Sequence, residues 1–224
     1  MFRCKTKTWI TCGCLPLLFI LLLTSCTNVS ETSPTATISP FNRVVFRDGF
    51  DSQNGNWTTY SGKDGSAFYE NGKLHIKNYT ASVSPSLSYY IQEQFSEFAL
   101  EVDMELVSGS SANWQEVICR YGPEGCYMFC INANGNYSIV KSVGGVATML
   151  RAPTPSSHIK TGLGVTNNIR VECIGNSLTL YVNGFSVAQV SDKTLVTGYV
   201  GFSVDSQSGE YSEAAFDNVV IWTS

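Results

Sequence analysis

Apolar and polar residues alternate one by one along most of this chain from Val44 onward. The alternation is clearest in five stretches, residues 98–107, 114–121, 127–131, 169–174 and 178–182. Because successive side chains of a β-strand point to opposite sides, a period of two is typical of strands with one buried face. No window of eleven residues in this region keeps a helical period, so the pattern predicts an all-β fold.

Turn sequences interrupt the alternation at short intervals. Such pairs of Gly with Asn or Pro are common in tight hairpins, because Gly and Asn accept the positive φ angles that those turns need. Roughly a dozen or more short antiparallel strands over about 180 residues predict a two-sheet sandwich rather than a barrel. The pairs are Asn54-Gly55, Asn71-Gly72, Gly122-Pro123, Asn134-Gly135, Gly175-Asn176 and Asn183-Gly184.

The first 25 residues differ in composition and resemble the signal peptide of bacterial lipoproteins. Three basic residues lie within the first seven positions, an apolar run ends at Leu23, and residues 23–26 read LTSC. In this class of signal the chain is cut before the cysteine, which then carries lipid. We therefore expect a signal peptide at residues 1–25 and lipidation at Cys26. A plain secretory signal or an uncleaved helix is the alternative.

A short stalk and one domain follow the expected signal. Residues 26–41 are rich in Ser, Thr and Pro and have too little apolar content to form a core, so they predict a flexible tether. Removing residues 1–25 takes away three basic residues and no acidic one, and the net charge falls from −4 to −7. This sign argues against nucleic acid as a partner. We expect one domain, residues 42–224, outside the cytoplasm on the plasma membrane or the outer membrane, anchored through its lipid.

Short motifs recur between residues 44 and 223 in a fixed order. They are residues 46–51 (FRDGFD) with Trp57, 70–76 (ENGKLHI), 98–103 (FALEVD), 117–121 (VICRY), 126–131 (CYMFCI), 178–184 (LTLYVNG), 198–201 (GYVG) and 216–219 (FDNV). In this order they resemble concanavalin A-like jelly-roll domains of the laminin G-like and 3-keto-disaccharide hydrolase types. The resemblance implies a two-sheet antiparallel jelly roll whose first and last strands, residues 44–50 and 216–221, lie side by side. It leaves the activity open, because lectins, glycosidases, lyases and adhesive modules share this fold.

Three carboxylates alternate with apolar residues on one predicted strand. Glu101, Asp103 and Glu105 project from one face, and their spacing matches the E-x-D-x-E signature of glycoside hydrolase family 16. A retaining hydrolase needs two such carboxylates about 5 to 5.5 Å apart. In those hydrolases, however, the motif strand comes after the segment that resembles residues 98–104 here. The trio is therefore the catalytic candidate if the protein is an enzyme, and a solvated or ligand-lining face otherwise.

The next predicted strand adds further candidates for ligand binding. If residues 98–107 and 114–121 form a hairpin, Trp114, Glu116 and Arg120 share a face with Glu101 and Asp103. A register with Glu105 opposite Glu116 would place Arg120 opposite Glu101 as an ion-pair partner. The sequence thus predicts a ligand-binding face of Trp114, Glu116, Arg120, Glu101 and Asp103. Trp114 could stack on a sugar ring or pack on its own loop, and Arg120 could bind a glycan or neutralise the sheet.

Four cysteines remain in the expected domain, and in an exported protein they suggest disulfides, with zinc binding as the alternative. Cys119 and Cys173 face the core by alternation, which favours a bridge between them, and related jelly rolls often carry cysteines at both positions. Cys126 and Cys130 are a possible second pair. On a continuous strand they would lie about 13 Å apart, so this bridge requires Cys126 to lie in the preceding turn.

Histidines and aspartates give weaker indications. We expect His75 on an ordinary strand face and His158 in a loop. If the terminal strands pair, Asp48, Asp51 and Asp217 come together and could bind calcium, although aspartates commonly stabilise turns instead. No other cofactor is expected.

The sequence as a whole predicts an envelope protein that binds carbohydrate or another envelope ligand. The alternatives are a glycan-cleaving enzyme of the 3-keto-disaccharide hydrolase or family 16 type, and a structural or adhesive module. The shape of the concave face, and the groups that it carries, should distinguish them.

Overall fold

The computed structural model describes residues 40–79, 86–206 and 211–224. Fifteen strands and no helix occur in these residues, so the predicted all-β class is confirmed. The strands are β1 (Arg43–Asp48), β2 (Tyr60–Ser61), β3 (Gly65–Glu70), β4 (Lys73–Asn78), β5 (Ser86–Tyr89), β6 (Phe98–Ser108), β7 (Trp114–Gly122), β8 (Gly125–Asn132), β9 (Asn136–Val143), β10 (Val146–Pro155), β11 (Asn167–Ile174), β12 (Ser177–Val182), β13 (Phe185–Ser191), β14 (Tyr199–Val204) and β15 (Ser212–Thr223). Within the described ranges, no helix is long and apolar enough to cross a membrane.

Two antiparallel sheets form the predicted jelly-roll sandwich. The larger sheet has nine strands in the order β13-β12-β11-β6-β15-β4-β3-β2, with β1 also paired to β15. The smaller sheet has six strands in the order β10-β9-β8-β7-β14-β5. The first and last strands lie side by side, from Arg43 opposite Thr223 to Asp48 opposite Val219, as the resemblance implied.

The core lies between the sheets and follows the sequence alternation. From the larger sheet, β6 contributes Leu100, Val102, Met104 and Leu106, which are all fully buried. From the smaller sheet, β7 and β8 contribute Val117, Cys119, Tyr127 and Phe129, which are also fully buried. Burial of these apolar side chains is the main stabilising contribution in a sandwich of this kind.

The expected hairpin between residues 98–107 and 114–121 is wrong. Both edges of β6 are taken by other strands of the larger sheet, β11 and β15. Strand β7 pairs instead with β8 and β14 in the smaller sheet, so the chain crosses the sandwich between β6 and β7. Arg170, rather than Arg120, lies opposite Glu101, with 3.7 Å between Nη1 and Oε2. The predicted ligand-binding face is thereby divided, with Glu101 and Asp103 on the larger sheet and Trp114, Glu116 and Arg120 on the smaller sheet.

Candidate functional site

A groove of about 590 Å³ runs across the outer face of the six-stranded sheet. Its floor is formed by β7, β8 and β9, one wall is formed by β10, and Leu87 and Asp205 lie at the opposite side. The lining residues of the three floor strands are Trp114, Glu116, Ile118, Tyr121, Cys126, Met128, Cys130, Ser138, Val140 and Ser142.

Alternation along β7 places Trp114 and Glu116 in this groove. Val117 and Cys119 of the same strand point into the core, so the residues that alternate with them, such as Glu116 and Ile118, face outward. Trp114 is partly exposed, whereas Glu116 is only 5% exposed because it lies on the groove floor. Two of the five residues that the sequence predicted for ligand binding therefore lie in one groove.

Asp205 is an acidic groove residue that the sequence analysis did not single out. It directly follows β14, and its backbone N–H donates to the carbonyl oxygen of Trp114 at 2.9 Å. Asp205 also lines the groove, so this contact brings a second acidic residue to the end of the groove where Trp114 lies. Only the pairing of β14 with β7, strands about 80 residues apart in the chain, brings Asp205 there.

The Glu116 carboxyl group is held by its two cross-strand neighbours. Ser203 on β14 and Cys130 on β8 lie directly opposite Glu116 in the register. The Ser203 hydroxyl donates to Oε2, and the Cys130 thiol donates to Oε1 at 3.7 Å. Burial raises the pKa of Glu116 to about 7, and the charge of Asp205 acts in the same direction, while both hydrogen bonds oppose the rise. Glu116 can thus gain or lose a proton near neutral pH.

Two thiols lie on the groove floor beside Glu116. Burial raises the pKa of Cys126 to about 12 and the pKa of Cys130 well above its ordinary value, and in both cases the Glu116 charge adds to the effect. Both groups are therefore neutral thiols at neutral pH, and neither is an activated nucleophile.

Arg120 does not belong to the groove. It is 2% exposed and has a positive φ of 52°, within a stretch of β7 where the pairing is irregular. Its guanidinium group donates to the carbonyl oxygens of Ser96, Gly175 and Leu195 at 2.7 to 3.2 Å. Because these three acceptors come from separate loops, Arg120 ties the loops together, and its donors are not directed at a ligand.

The acidic trio lies on the opposite surface, on the outer face of the nine-stranded sheet. Glu105 accepts from Lys73 at 2.8 Å and from Thr166 at 3.2 Å. Asp103 accepts from Asn168 and Asn218, both at 3.0 Å, and Glu101 accepts from Asn168 at 3.2 Å. Each carboxylate is therefore part of a surface network on the sheet that does not carry the groove.

The three candidate calcium ligands lie near the junction of β1 and β15, but their contacts resemble those of turn residues. Asp48 Oδ1 accepts from the backbone of Phe50 at 2.8 Å, and Oδ2 accepts from Asn54 at 2.9 Å and Trp57 at 3.1 Å. Asp217 accepts from the backbone of Asn218 at 2.7 Å. Within the described ranges, no group of three or more His, Cys, Asp or Glu residues is arranged to hold a metal ion. Calcium binding at Asp48, Asp51 and Asp217 stays a prediction that these contacts do not favour.

The four described cysteines are free thiols. Cys119 and Cys173 are hydrogen-bonded to each other in the core, so a bridge between them stays a prediction. Cys126 lies within β8 opposite Ser142, and not in a turn. It is therefore about 13 Å from Cys130 along one strand, which excludes a bridge between these two residues.

The remaining candidates have ordinary surroundings or lie outside the described residues. His75 lies on β4, as expected, and its Nδ1 is 2.8 Å from Glu213. His158 lies in the turn region after β10 and stacks on Phe185 with 4.1 Å between ring centroids. Cys26, with residues 1–39, is outside the described part of the chain.

Solved structures similar to this chain include a carbohydrate-binding module and a β-glucanase. A carbohydrate-binding module, CBM66 of Bacillus subtilis, has a TM-score of 0.62 and 17% identity, with 75% of this chain and 96% of that chain covered. LamAcat of Zobellia galactanivorans has a TM-score of 0.57 and 13% identity, covering 82% and 98%. The β-glucanase of Bacillus licheniformis has a TM-score of 0.57 and 11% identity, covering 82% and 99%. At these identities the similarity establishes the fold, a concanavalin A-like jelly roll.

Sequence comparison identifies the family. Among curated protein sequences, none matches this chain. The family described as the 3-keto-alpha-glucoside-1,2-lyase-like domain matches residues 42–221, which is nearly the whole expected domain. The chain therefore belongs to the 3-keto-alpha-glucoside-1,2-lyase-like domain family.

Proposed function

We propose that this protein binds carbohydrate in the groove of the six-stranded sheet and is held in the bacterial cell envelope by a lipid on Cys26. The observation that carries the proposal is the grouping of Trp114, Glu116 and Asp205 at one end of an open groove. An indole offers an apolar face to a sugar ring, and carboxyl oxygens accept hydrogen bonds from its hydroxyl groups. The volume of about 590 Å³ lies within the range of small-ligand sites.

The apolar residues of the groove floor and of the β10 wall support the same function. Ile118, Met128, Val140, Ala147 and Met149 supply apolar surface between the polar groups. Such a mixture suits sugars, whose rings have apolar faces and polar edges. The fold shared with a carbohydrate-binding module and with a β-glucanase supports a glycan ligand further.

The location rests on the sequence. The lipoprotein-like LTSC segment favours lipidation at Cys26, and residues 27–41 would then separate the domain from the membrane by up to about 50 Å. A domain in that position would meet the polysaccharides of the envelope or its surroundings.

Binding is tested with a glycan array, followed by isothermal titration of the glycans that bind. We expect Trp114→Ala to weaken binding roughly tenfold or more, because aromatic anchors dominate such sites. Trp222→Ala is the matched control, since Trp222 lies on β15 of the other sheet beneath Arg170. Absence of any glycan bound by the wild-type protein, or equal affinity of wild type and Trp114→Ala, would refute the proposal.

Cleavage of the bound glycan is a second candidate function, and the pKa of Glu116 favours it. A carboxyl group with a pKa of about 7 beside a second carboxylate, Asp205, suits a general acid paired with a base or nucleophile. Release of reducing sugar that is lost in both Glu116→Gln and Asp205→Asn would support this function. Release that survives both substitutions would exclude the groove as the catalytic centre, and its loss in Glu101→Gln, Asp103→Asn or Glu105→Gln would point to the other sheet.

A further inference from the structure

The charge of the groove restricts which sugars can bind. Glu116 and Asp205 are acidic, and no Lys, Arg or His occurs among the described residues that line the groove. Arg151, the basic residue of the wall strand β10, is exposed and is not one of the lining residues. A uronic acid or a sulfated sugar would therefore place its negative charge near two acidic residues in a groove whose described lining residues include no basic one.

Glu116 also has unused capacity to accept hydrogen bonds. An ionised carboxylate has about four acceptor positions. In the described part of the chain, Oε1 accepts a single hydrogen bond, from the Cys130 thiol at 3.7 Å, and thiols are weak donors. Since Glu116 is almost fully buried, water can fill the remaining positions only from the groove side. A strong donor from a ligand would complete its coordination.

The other titratable groups around Glu116 supply no positive charge. Cys130 and Cys126 face it from β8 and are neutral thiols, because burial raises the pKa of each. Asp205 faces it from the end of β14, and its negative charge disfavours ionisation of Glu116. A cation between Glu116 and Asp205 would relieve this repulsion and interact favourably with both groups.

The position of Trp114 relative to Glu116 and Asp205 indicates where such a cation would bind. It is two residues from Glu116 on the same face of β7, which is about 6.8 Å along the strand. Asp205 is hydrogen-bonded to the Trp114 backbone. A sugar ring stacked on the indole would present its substituents to both carboxyl groups at once.

We propose that the groove selects glycans with free amino groups, such as glucosamine oligomers, whose ammonium group binds between Asp205 and Glu116. This inference rests on the proposed carbohydrate-binding function and names the class of sugar. N-acetylation removes both the charge and two of the three donors of the amine, so the acetylated counterparts bind more weakly.

The test uses pairs of oligosaccharides that differ only in the amine. Glucosamine oligomers with α-1,4 and β-1,4 linkages, their N-acetylated counterparts and a uronic acid oligomer are titrated calorimetrically into the purified protein, at a pH where the sugar amine is protonated. We expect the amino oligomer to bind roughly tenfold or more tightly than its acetylated counterpart, and the uronic acid oligomer to bind weakest. Added salt should narrow the difference, because it screens the ion pairs.

Three variants test whether the preference for the amino oligomer depends on Asp205 and Glu116. Asp205→Asn and Glu116→Gln should bring the affinity for the amino oligomer close to that for the acetylated oligomer. Asp64→Asn removes the same charge at an exposed position, where Asp64 lies 3.9 Å from Lys63, and should leave the preference unchanged. A preference that persists in both groove variants would overturn the inference.

The outcomes also separate this inference from the proposed function. Equal or tighter binding of acetylated, neutral or acidic glycans refutes amine selection and leaves carbohydrate binding intact. Absence of binding to every glycan refutes both.

Discussion

The thiols of Cys119 and Cys173 contact each other inside the sandwich, although their strands belong to different sheets. Cys119 lies on β7 of the smaller sheet, Cys173 lies on β11 of the larger sheet, and both are fully buried. Burial and the hydrogen bond between the two thiols raise the pKa of Cys119 well above its ordinary value. Because both thiols are buried, reagents in solution cannot reach them in the folded state, and their contact would allow them to pair when the protein folds under oxidising conditions.

We predict that oxidative folding links Cys119 to Cys173 and increases the free energy of unfolding by up to about 4 kcal/mol. The bridge would close a loop of about 54 residues and restrict the unfolded chain. Peptide mapping of the protein from an oxidising compartment identifies the bond, and denaturation with and without reductant measures the effect. Cys126→Ala should not change the difference in unfolding free energy between the oxidised and the reduced protein. A bridge that includes Cys126 or Cys130 would contradict the prediction.

Ionisation of Glu116 should make the stability of the protein fall as the pH rises. The pKa of Glu116 is raised to about 7 in the folded protein, above the ordinary value of 4.5, so the folded state binds the proton more tightly than the unfolded state. The favourable contribution of the protonated group is complete below about pH 4.5 and is lost as the pH rises through about 7. Glu116→Gln should remove this loss, and the variant should gain roughly 3 kcal/mol relative to wild type between about pH 5 and pH 8. Parallel stability curves for the two proteins would show that Glu116 ionises normally.

Asp192 should also make stability depend on pH, but in the opposite direction, because its stabilising contribution is lost as the pH falls. Tyr127 Oη donates to Oδ1 at 2.6 Å, and Lys141 Nζ donates to Oδ2 at 2.7 Å. Burial alone would raise the pKa of Asp192, but these hydrogen bonds and those from Thr194 hold the pKa below its ordinary value. Its contribution is therefore present above about pH 4 and lost as the pH falls further.

Replacement of Asp192 tests this contact directly. Asp192→Ala should lower the free energy of unfolding by about 2 kcal/mol at neutral pH, because the fully buried Tyr127 loses its acceptor. Thermal denaturation at neutral and acidic pH measures the effect, and the difference between variant and wild type should shrink on acidification. A pH-independent difference would argue against the ion pair.

Replacement of Arg120 should lower the stability of the protein without weakening ligand binding in the groove. The three carbonyl acceptors of Arg120 lie on different loops, and the ammonium group of a lysine cannot reproduce the fixed fork of N–H donors that reaches all three. Arg120→Lys should therefore destabilise the protein by about 3 kcal/mol while leaving glycan affinity in the groove within about twofold. Titration below the unfolding transition makes the comparison. Unchanged stability with lost binding would restore Arg120 to the ligand site.

Anchoring is tested at Cys26. Cys26→Ala should shift the protein from the membrane fraction to the soluble fraction, because the modified cysteine carries the acyl chains. Metabolic labelling with a fatty acid analogue reports the modification itself. Cys14→Ala, a substitution within the expected signal, should leave labelling intact. Labelling that persists in Cys26→Ala would refute lipidation at this residue.

The alternation of residues was sufficient to predict which way most side chains point. Glu101, Asp103 and Glu105 project outward from β6, and Trp114 and Glu116 project outward from β7, as expected. Alternation defines the face of a strand but not its neighbours in the sheet, so the same pattern could not reveal that β6 and β7 belong to different sheets. The error in pairing moved two predicted carboxylates to the wrong side of the protein.

The positions of two side chains, those of Asp205 and Arg120, could not be predicted from a local sequence pattern. Asp205 enters the groove only because β14 pairs with β7, a long-range contact that no nearby residue signals. Arg120 breaks the alternation by its positive φ, which an arginine rarely adopts, and its side chain turns away from the ligand face. Strand pairing and backbone irregularity arise from the whole fold, so a single sequence contains little information about either.

The pairing of β1 with β15 has a topological consequence. Since Arg43 lies opposite Thr223, the two ends of the sandwich are adjacent strand partners, and a short linker could join them into a closed ring. A circular permutant opened at an exposed turn of the larger sheet, such as the one at Asn183 and Gly184 between β12 and β13, would keep every strand pairing of the original. The groove and its carboxyl groups depend on the order of strands in space, and they would be unchanged by where the polypeptide is cut.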